Sequence, residues 1–362
     1  MKRLQRWSGW IGVAVVGILA CTVQAGPKVE LGPDSWMSYS FLGQVHATHT
    51  PDAQPETDFF IRRARIILSG QVMDGVQFFA ETDIPNAGKH GTDARLKMQD
   101  LFVDLRLPEL QDHWLKVGLI LLPFSFENRS GATTLLGNDY NLEVLKLPNT
   151  HVWRDIGAEL HGTFWNRRIA YFIGVFDGYD EEGGSKNPDA ELRLTGHIAV
   201  NLIGEAESGW FFNQCRLGKA GDYLSIGAGV DRQGKATRRV VLSEDSAAPA
   251  PPPEIVDSEN WVVDLQSGWN VLGANLTLNA AWYDWDNALF KGHTAFVESG
   301  LLIGKIMPVW KYSLQDPDAA HTVEDYTVGL HVFGKDHHIR GGIEFRWGDS
   351  PDQWLFGIQV LL

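Results

Sequence analysis

The sequence predicts an all-β fold, a transmembrane antiparallel β-barrel of about 16 strands, and three observations support this. Apolar and polar residues alternate with a period of two along most of the chain, which places them on opposite faces of strands. Most alternating runs are ten to twelve residues long, close to what a tilted strand needs to cross a bilayer. Brief turns alternate with longer loops, as short periplasmic turns and longer extracellular loops do in such barrels.

The first residues have the composition of an export signal. Three basic residues precede an apolar stretch over residues 10–20, and small residues lead up to Ala25. The apolar stretch is too short to span a bilayer as a helix. We therefore predict a cleaved signal peptide over residues 1–25 and a barrel over residues 26–362. Lipid attachment at Cys21 is the alternative route of processing.

The exported chain is predicted to be strongly acidic. The sequence has 31 Lys and Arg against 45 Asp and Glu, and cleavage after Ala25 removes three basic residues, so the formal charge of −14 becomes 28 − 45 = −17. Nucleic acid is not an expected partner, because its affinity depends on neutralised phosphates. Cleavage also leaves Cys215 as the one cysteine, so no intramolecular disulfide is expected.

The alternating runs define sixteen strands in order. From Leu192 to Leu202, for example, larger apolar residues and one glycine alternate with polar or small residues. Gly334-Lys335-Asp336 is a turn-forming tripeptide between two such runs. The predicted strands lie near residues 36–48, 59–71, 74–84, 96–107, 113–123, 154–165, 168–178, 190–203, 222–232, 260–269, 272–285, 295–303, 307–314, 323–333, 338–347 and 353–362.

The connections carry two further expectations. Residues 233–259 include the Pro-rich stretch Ala247–Pro253 and are predicted to form an external loop, since proline cannot donate to a sheet ladder. Partner binding by this loop is the alternative. The connection from Gly204 to Gly221 is an exception, because it is long for the side of the barrel that has short turns.

The apolar faces are predicted to meet lipid and the polar faces to meet water inside the barrel. A soluble β-sandwich would turn its apolar faces inward, but sandwich strands are usually shorter. Several tryptophans near strand ends favour the membrane assignment, because aromatic girdles lie at the two membrane interfaces. These are Trp36, Trp114, Trp261, Trp269, Trp282, Trp347 and Trp354.

Three segments resemble the phosphate-selective porin O and P family of Gram-negative outer membranes. They are DFFIRRARIILSGQVMDGVQFFAETD at 58–83, LKVGLILLPFSFEN at 115–128, and the ending from Glu324 to Leu362. The resemblance implies a sixteen-stranded barrel, a homotrimer and a third loop folded inward. That loop, residues 124–153, is the predicted constriction, with packing over the barrel mouth as the alternative.

Charged side chains on the lumen faces are the candidate functional residues, because rings of charge select ions in a narrow water path. The alternative is that the arginines pair with carboxylates and only balance lumen charge. Arg62 is expected to face the outer lipid rim, near lipopolysaccharide phosphate. The pore-lining candidates are Arg63, Arg65, Glu81, Asp83, Arg106, Lys116, Arg193, Arg340, Glu344 and Arg346, and the constriction-loop candidates are Arg129, Asp139, Glu143 and Lys146.

The predicted function is passive diffusion of small ions or solutes through an outer-membrane porin, with anions such as phosphate as candidates. The alternative is a barrel scaffold that sheathes or docks a partner such as an electron-transfer cytochrome. The chain has no C-x-x-C-H haem site, so any haem would belong to that partner. Hydrolase, metalloprotease and P-loop motifs are also missing from the sequence. We therefore predict no enzyme, no catalytic residue, no metal and no cofactor.

Overall fold

The computed structural model describes residues 26–110, 112–148, 152–178, 191–207, 209–239 and 254–362. The predicted signal peptide, residues 1–25, lies outside them. The described residues form seventeen strands and one short helix. In chain order these are β1 (Lys28–Gly32), β2 (Ser35–His49), β3 (Thr57–Met73), β4 (Val76–Asp83), β5 (Lys97–Arg106), β6 (His113–Leu121), α1 (Phe126–Arg129), β7 (Arg154–Phe164), β8 (Ile169–Phe176), β9 (Arg193–Ile203), β10 (Tyr223–Arg239), β11 (Glu254–Val271), β12 (Ala274–Asp286), β13 (Lys291–Leu302), β14 (Ile306–Pro317), β15 (Val323–Phe333), β16 (Ile339–Gly348) and β17 (Gln353–Leu361).

Strands β2 to β17 close into an antiparallel barrel of sixteen strands. Each pairs with the next along the chain, and β17 pairs with β2, with Leu361 opposite Leu42 and Trp354 opposite His49. The predicted fold class is confirmed. Closure matters because it satisfies the backbone groups that an open sheet edge would leave unpaired in hydrocarbon. No helix among the described residues is long and apolar enough to span a membrane.

Strand β1 was not predicted. It pairs with the first part of β2, with Lys28 opposite Ser38. Further along the same edge of β2, the backbone of Leu362 exchanges hydrogen bonds with Phe41 at 2.9 and 3.1 Å. The five residues of β1 therefore extend the pairing of β2 beyond the end of β17.

Side-chain burial follows the period-two alternation. On β15, Val328 and Leu330 are 43% and 45% exposed on the outside. His331, on the opposite face of the same strand, is fully buried. On β16 the inward-facing Glu344 is buried as well. Apolar side chains thus point outward and polar side chains inward, as predicted.

The outward orientation predicted for Arg62 is wrong. Gln44 of β2 lies opposite Arg63 and the next residue, Val45, lies opposite Ile61, so β3 has one extra residue at Arg62. Such a β-bulge shifts the alternation of the strand by one position. Arg62 and Arg63 consequently both reach the interior, and Ile61 points outward with 41% exposure.

The external loop predicted over residues 233–259 is shorter than expected. Strand β10 continues to Arg239 and β11 begins at Glu254, and these two residues are paired. The ladder continues on both sides of the Pro-rich stretch because the proline-free flanks keep their N–H donors. The Pro-rich stretch itself, Ala247–Pro253, lies outside the described residues.

The interior contains apolar as well as polar side chains, which the sequence did not predict. A buried cluster joins wall residues such as Phe102, Tyr283 and Trp285 to loop residues such as Phe124 and Leu147. This cluster is where the long loop after β6 packs against the wall, so apolar residues face the interior there.

Candidate pore

Loop L3, which comprises residues 122–148 and 152–153 between β6 and β7, folds into the barrel. It starts with helix α1, capped by the Ser125 hydroxyl, which accepts a hydrogen bond from the Asn128 N–H at 3.3 Å. The Asn128 side-chain oxygen in turn accepts from the Ser125 N–H at 2.8 Å. This reciprocal cap satisfies donors that the helix start leaves free. The loop thus turns sharply inward directly after the strand.

Loop L3 crosses the interior and contacts strands on the opposite wall. The Gln44 side chain of β2 donates to the Ala132 carbonyl at 3.0 Å. The Glu344 carboxylate of β16 accepts from the Asn138 N–H at 2.7 Å, and the Thr294 hydroxyl of β13 donates to the Val144 carbonyl at 2.6 Å. L3 therefore lies inside the barrel, and its role as a constriction remains a prediction.

A buried carboxylate anchors the first part of L3. Glu127 accepts hydrogen bonds from the Asn141 N–H at 2.8 Å and from Gln214. Asn141 also donates to Glu298 of β13 at 3.1 Å. Burial, together with the nearby charge of Glu298, raises the pKa of Glu127 to about 8. This shift favours the neutral form of Glu127, which lowers the like-charge repulsion between loop and wall.

A cavity of about 500 Å³ lies between L3 and the wall formed by β3, β4 and β5. The β4–β5 loop contributes to its rim, and Tyr140 and Trp153 of L3 contribute aromatic surface. Six basic side chains and two acidic ones line it, namely Arg62, Arg63, Arg65, Arg95, Lys97 and Arg154, with Asp83 and Asp93.

Asp139 of L3 holds two of the cavity arginines. Its carboxylate contacts Arg62 Nε at 2.5 Å and Arg63 Nη2 at 2.7 Å. Arg63 also donates to the side chain of Gln44 at 2.6 Å. Burial alone raises the pKa of Asp139, but the guanidinium groups of Arg63 and Arg62 together hold it below the usual range. Two predicted residues, Arg63 and Asp139, are thus brought together, with Arg62 as a third member.

Arg65 pairs with carboxylates of the neighbouring strand. Its guanidinium lies 2.6 Å from Glu81 and 3.0 Å from Asp83. Arg154, at the start of β7, makes a similar contact with Asp100 at 2.9 Å. The pairing of Arg65 with Glu81 and Asp83 agrees with the charge-balancing alternative, although Arg65 and Asp83 also face the cavity.

Further predicted residues lie inside the barrel away from the cavity. Lys116 pairs with Glu159 at 2.7 Å, and the Arg129 guanidinium of L3 lies over the Phe172 ring at 3.6 Å. Of these two contacts, the one made by Arg129 joins L3 to the wall at β8.

Arg193 and Arg340 also anchor L3 rather than face the cavity. Arg193 binds Asp231 through two nitrogens at 2.5 and 2.8 Å and donates to the Pro148 carbonyl. Arg340 donates to the Leu136 carbonyl at 2.8 Å.

The remaining predicted residues do not converge on one place. Arg106 pairs with Asp74 at the barrel end that has short turns, and Arg346 is half-buried on β16. In L3, Lys146 lies with its ammonium 5.3 Å from the Phe290 ring, while Glu143 is half-buried. The structure thus groups Arg63, Arg65, Glu81, Asp83 and Asp139 and separates the others from them.

The connection between β9 and β10 folds into the barrel from the opposite end. This inserted turn comprises residues 204–207 and 209–222, whereas the other connections at its end have two to six residues. It pairs with L3, since the Gly131 N–H donates to the Phe212 carbonyl at 2.9 Å and the Phe212 N–H donates to the Arg129 carbonyl at 3.0 Å. Two loops from opposite ends therefore meet in the interior.

Sequence reasoning did not identify Arg95, Lys97, Arg154, Trp210 or Phe211 as candidates. The first three join the cavity because loops and strands distant in the chain converge there. The two aromatic residues belong to the inserted turn, and the unusual length of that turn was the available signal.

Comparison with solved structures identifies the architecture. A variant of the Rhodopseudomonas blastica porin aligns with a TM-score of 0.59 at 12% identity, covering 90% of this chain and 100% of that one. The outer membrane channel DcaP of Acinetobacter baumannii aligns with a TM-score of 0.57 at 11% identity, covering 94% and 100%. The chain has the fold of bacterial porins. No protein-family model and no curated protein sequence matches it, so the resemblance to the phosphate-selective porin O and P family remains a prediction.

Proposed function

We propose that this chain is an outer-membrane porin of a Gram-negative bacterium, exported by the signal peptide over residues 1–25. It provides passive diffusion of small solutes and performs no catalysis. The porin fold and the outward apolar face support this proposal. In this assignment the ends with longer loops face the exterior, lipopolysaccharide contacts the outer rim, and three copies assemble as a homotrimer.

The observation that carries the proposal is the cavity beside L3. It provides about 500 Å³ of space between L3 and the wall, and six basic side chains face it against two acidic ones. An excess of fixed charge of one sign along a low-dielectric passage concentrates ions of the opposite sign. We therefore infer a preference for small anions, with phosphate among them, although the chain as a whole is acidic.

The scaffold alternative is not favoured by the interior. L3 and the inserted turn occupy the space between the walls and hydrogen-bond to one another. A sheathed partner would have to displace both. A docked partner at the rim is the remaining form of that alternative.

Single-channel recording in planar bilayers under a KCl gradient tests the proposal. We expect stepwise currents and a reversal potential with the sign of anion preference. The double change Arg63→Ala and Arg65→Ala should lower the anion-to-cation permeability ratio. Arg106→Ala with Arg346→Ala is the matched control, since it removes the same charge outside the cavity and should leave the ratio near the wild-type value.

Two results would contradict the proposal. A folded barrel that passes no current would reject the diffusion channel. A cation-selective reversal potential that the Arg63 and Arg65 changes leave unaltered would reject the anion preference while retaining the channel.

A further inference from the structure

The inserted turn places aromatic side chains next to aromatic residues of the barrel wall. Trp210 lies edge-on to Phe79 of β4 and to Phe102 of β5, with ring centroids 5.2 and 5.4 Å apart. Phe211 contacts the Phe79 ring at 5.3 Å, and Phe79 and Phe102 stack at 5.4 Å. These four rings form one cluster, called here the aromatic cluster.

The aromatic cluster lies one layer below Glu81 and Asp100, the carboxylates that pair with the cavity residues Arg65 and Arg154. Phe79 is two residues from Glu81 on β4, toward the end with short turns, and Phe102 is two residues from Asp100 on β5 in the same direction. Because alternate residues share a face, these rings point into the barrel like the carboxylates above them. A solute that leaves the cavity along this wall toward the short-turn end reaches the aromatic cluster next.

The two halves of the aromatic cluster are held differently. Phe79 and Phe102 belong to strands paired on both sides. Trp210 and Phe211 belong to a turn, and the Trp210 indole N–H donates to the Asp104 carboxylate at 2.8 Å. One half of the cluster therefore belongs to the wall, and the other half is carried by a loop that this hydrogen bond joins to β5.

We propose that Trp210 and Phe211, with Phe79 and Phe102, form a second constriction that sets the size limit for solutes passing between the cavity and the short-turn end. This inference rests on the proposed diffusion channel. Apolar constrictions oppose hydrated ions because water is expelled from a narrow apolar passage. The charged cavity then selects by sign, and the aromatic cluster selects by size and hydration.

The test compares ring removal within the cluster with ring removal beside it. Trp210→Ala with Phe211→Ala should raise the KCl conductance by about twofold or more, since an apolar barrier to hydrated ions is removed. It should also admit neutral polyethylene glycols larger than those that enter the wild type. Phe79→Ala, a change on the wall, should act in the same direction without altering the turn.

Phe212→Ala is the matched control. Phe212 follows directly in the inserted turn but packs on Phe172, with centroids 5.6 Å apart, and on Arg129. It should leave conductance and size limit at the wild-type values. An equal rise in this variant would assign the effect to loosening of the turn and overturn the assignment to the aromatic cluster.

The outcomes separate this inference from the proposed function. If the wild type conducts and neither cluster variant differs from it, the second constriction is wrong and the channel stands. If neither the wild type nor any variant conducts while all resist SDS unfolding as folded barrels, both are wrong. A silent wild type beside conducting cluster variants would also overturn both, because the wild type would then have no open path whose size limit the cluster could set.

Discussion

At the scale of single residues, Asp139 controls how much positive charge the cavity offers to a solute. Its carboxylate contacts Arg62 and Arg63 at 2.5 and 2.7 Å, and it reaches them from L3 rather than from the wall. Charge-assisted pairs of this kind occupy the donors that would otherwise bind a permeating anion. Asp139 is thus an internal competitor of the proposed solutes.

Asp139→Asn should increase the anion-to-cation permeability ratio, because it removes one negative charge and releases two guanidinium groups. A partly solvated ion pair contributes up to about 1 kcal/mol, which corresponds to roughly a fivefold change in ratio. Reversal potentials in a KCl gradient measure this. Asp93→Asn is the control: Asp93 lines the same cavity but pairs with Arg95 at an exposed position. An equal effect of both changes would show that the permeability ratio depends on total charge and not on the pairing of Asp139 with Arg62 and Arg63.

At the scale of secondary structure elements, the start of L3 packs closely against β10 because a glycine of that strand lies at the contact. A Cβ atom added to Gly229 of β10 would overlap the carbonyl oxygen of Phe124. Phe124 itself is fully buried and packs against Trp285 at 5.5 Å between ring centroids. The Phe124 carbonyl therefore already lies against the Gly229 backbone, and the start of L3 cannot move closer to the wall.

Gly229→Val should displace the start of L3 while the barrel still closes. Overpacking of this kind costs about 1–3 kcal/mol, so the displaced loop should become roughly 5 to 150 times more populated. Limited proteolysis within L3 and single-channel conductance should both increase. Gly341→Val on β16 is the control, since a Cβ there meets nothing within 4 Å. Unchanged proteolysis in Gly229→Val would contradict the seating of L3 described for this contact.

The elements also show which features the sequence could predict. The positions and faces of the strands could be predicted from the period-two alternation, because burial of only one face fixes the register of a strand. The bulge that turns Arg62 inward could not be predicted in this way, because a strand with one extra residue has the same kind of composition as a strand without it. The ion pair between Asp139 and Arg63, and the contact of Trp210 with Phe102, join residues more than seventy positions apart. Local patterns contain no information about pairs brought together only by closure of the barrel.

At the scale of the whole molecule, the barrel separates an apolar exterior from an interior that holds its charges in pairs. Val328 and Thr327 are neighbours at the middle of β15, but their side chains point to opposite sides of the barrel wall. Val328 is 43% exposed on the outside and lies between Trp310 and Phe345 of the adjacent strands. Thr327 faces inward, opposite Lys311 and Arg346.

Val328→Arg should impair insertion, because an arginine on the lipid face near the bilayer midplane costs roughly 2–4 kcal/mol. Thr327→Arg should insert with nearly the efficiency of the wild type, since the added charge enters the aqueous side of the wall. Folding into lipid vesicles, followed by the SDS-resistant fraction over a urea series, measures the difference. The two substitutions add the same side chain one residue apart on the same strand, so differences in synthesis, charge and strand propensity cancel. Equal losses in both variants would mean that β15 does not separate lipid from lumen, and the outward position of the apolar face would then be wrong for the barrel in a membrane.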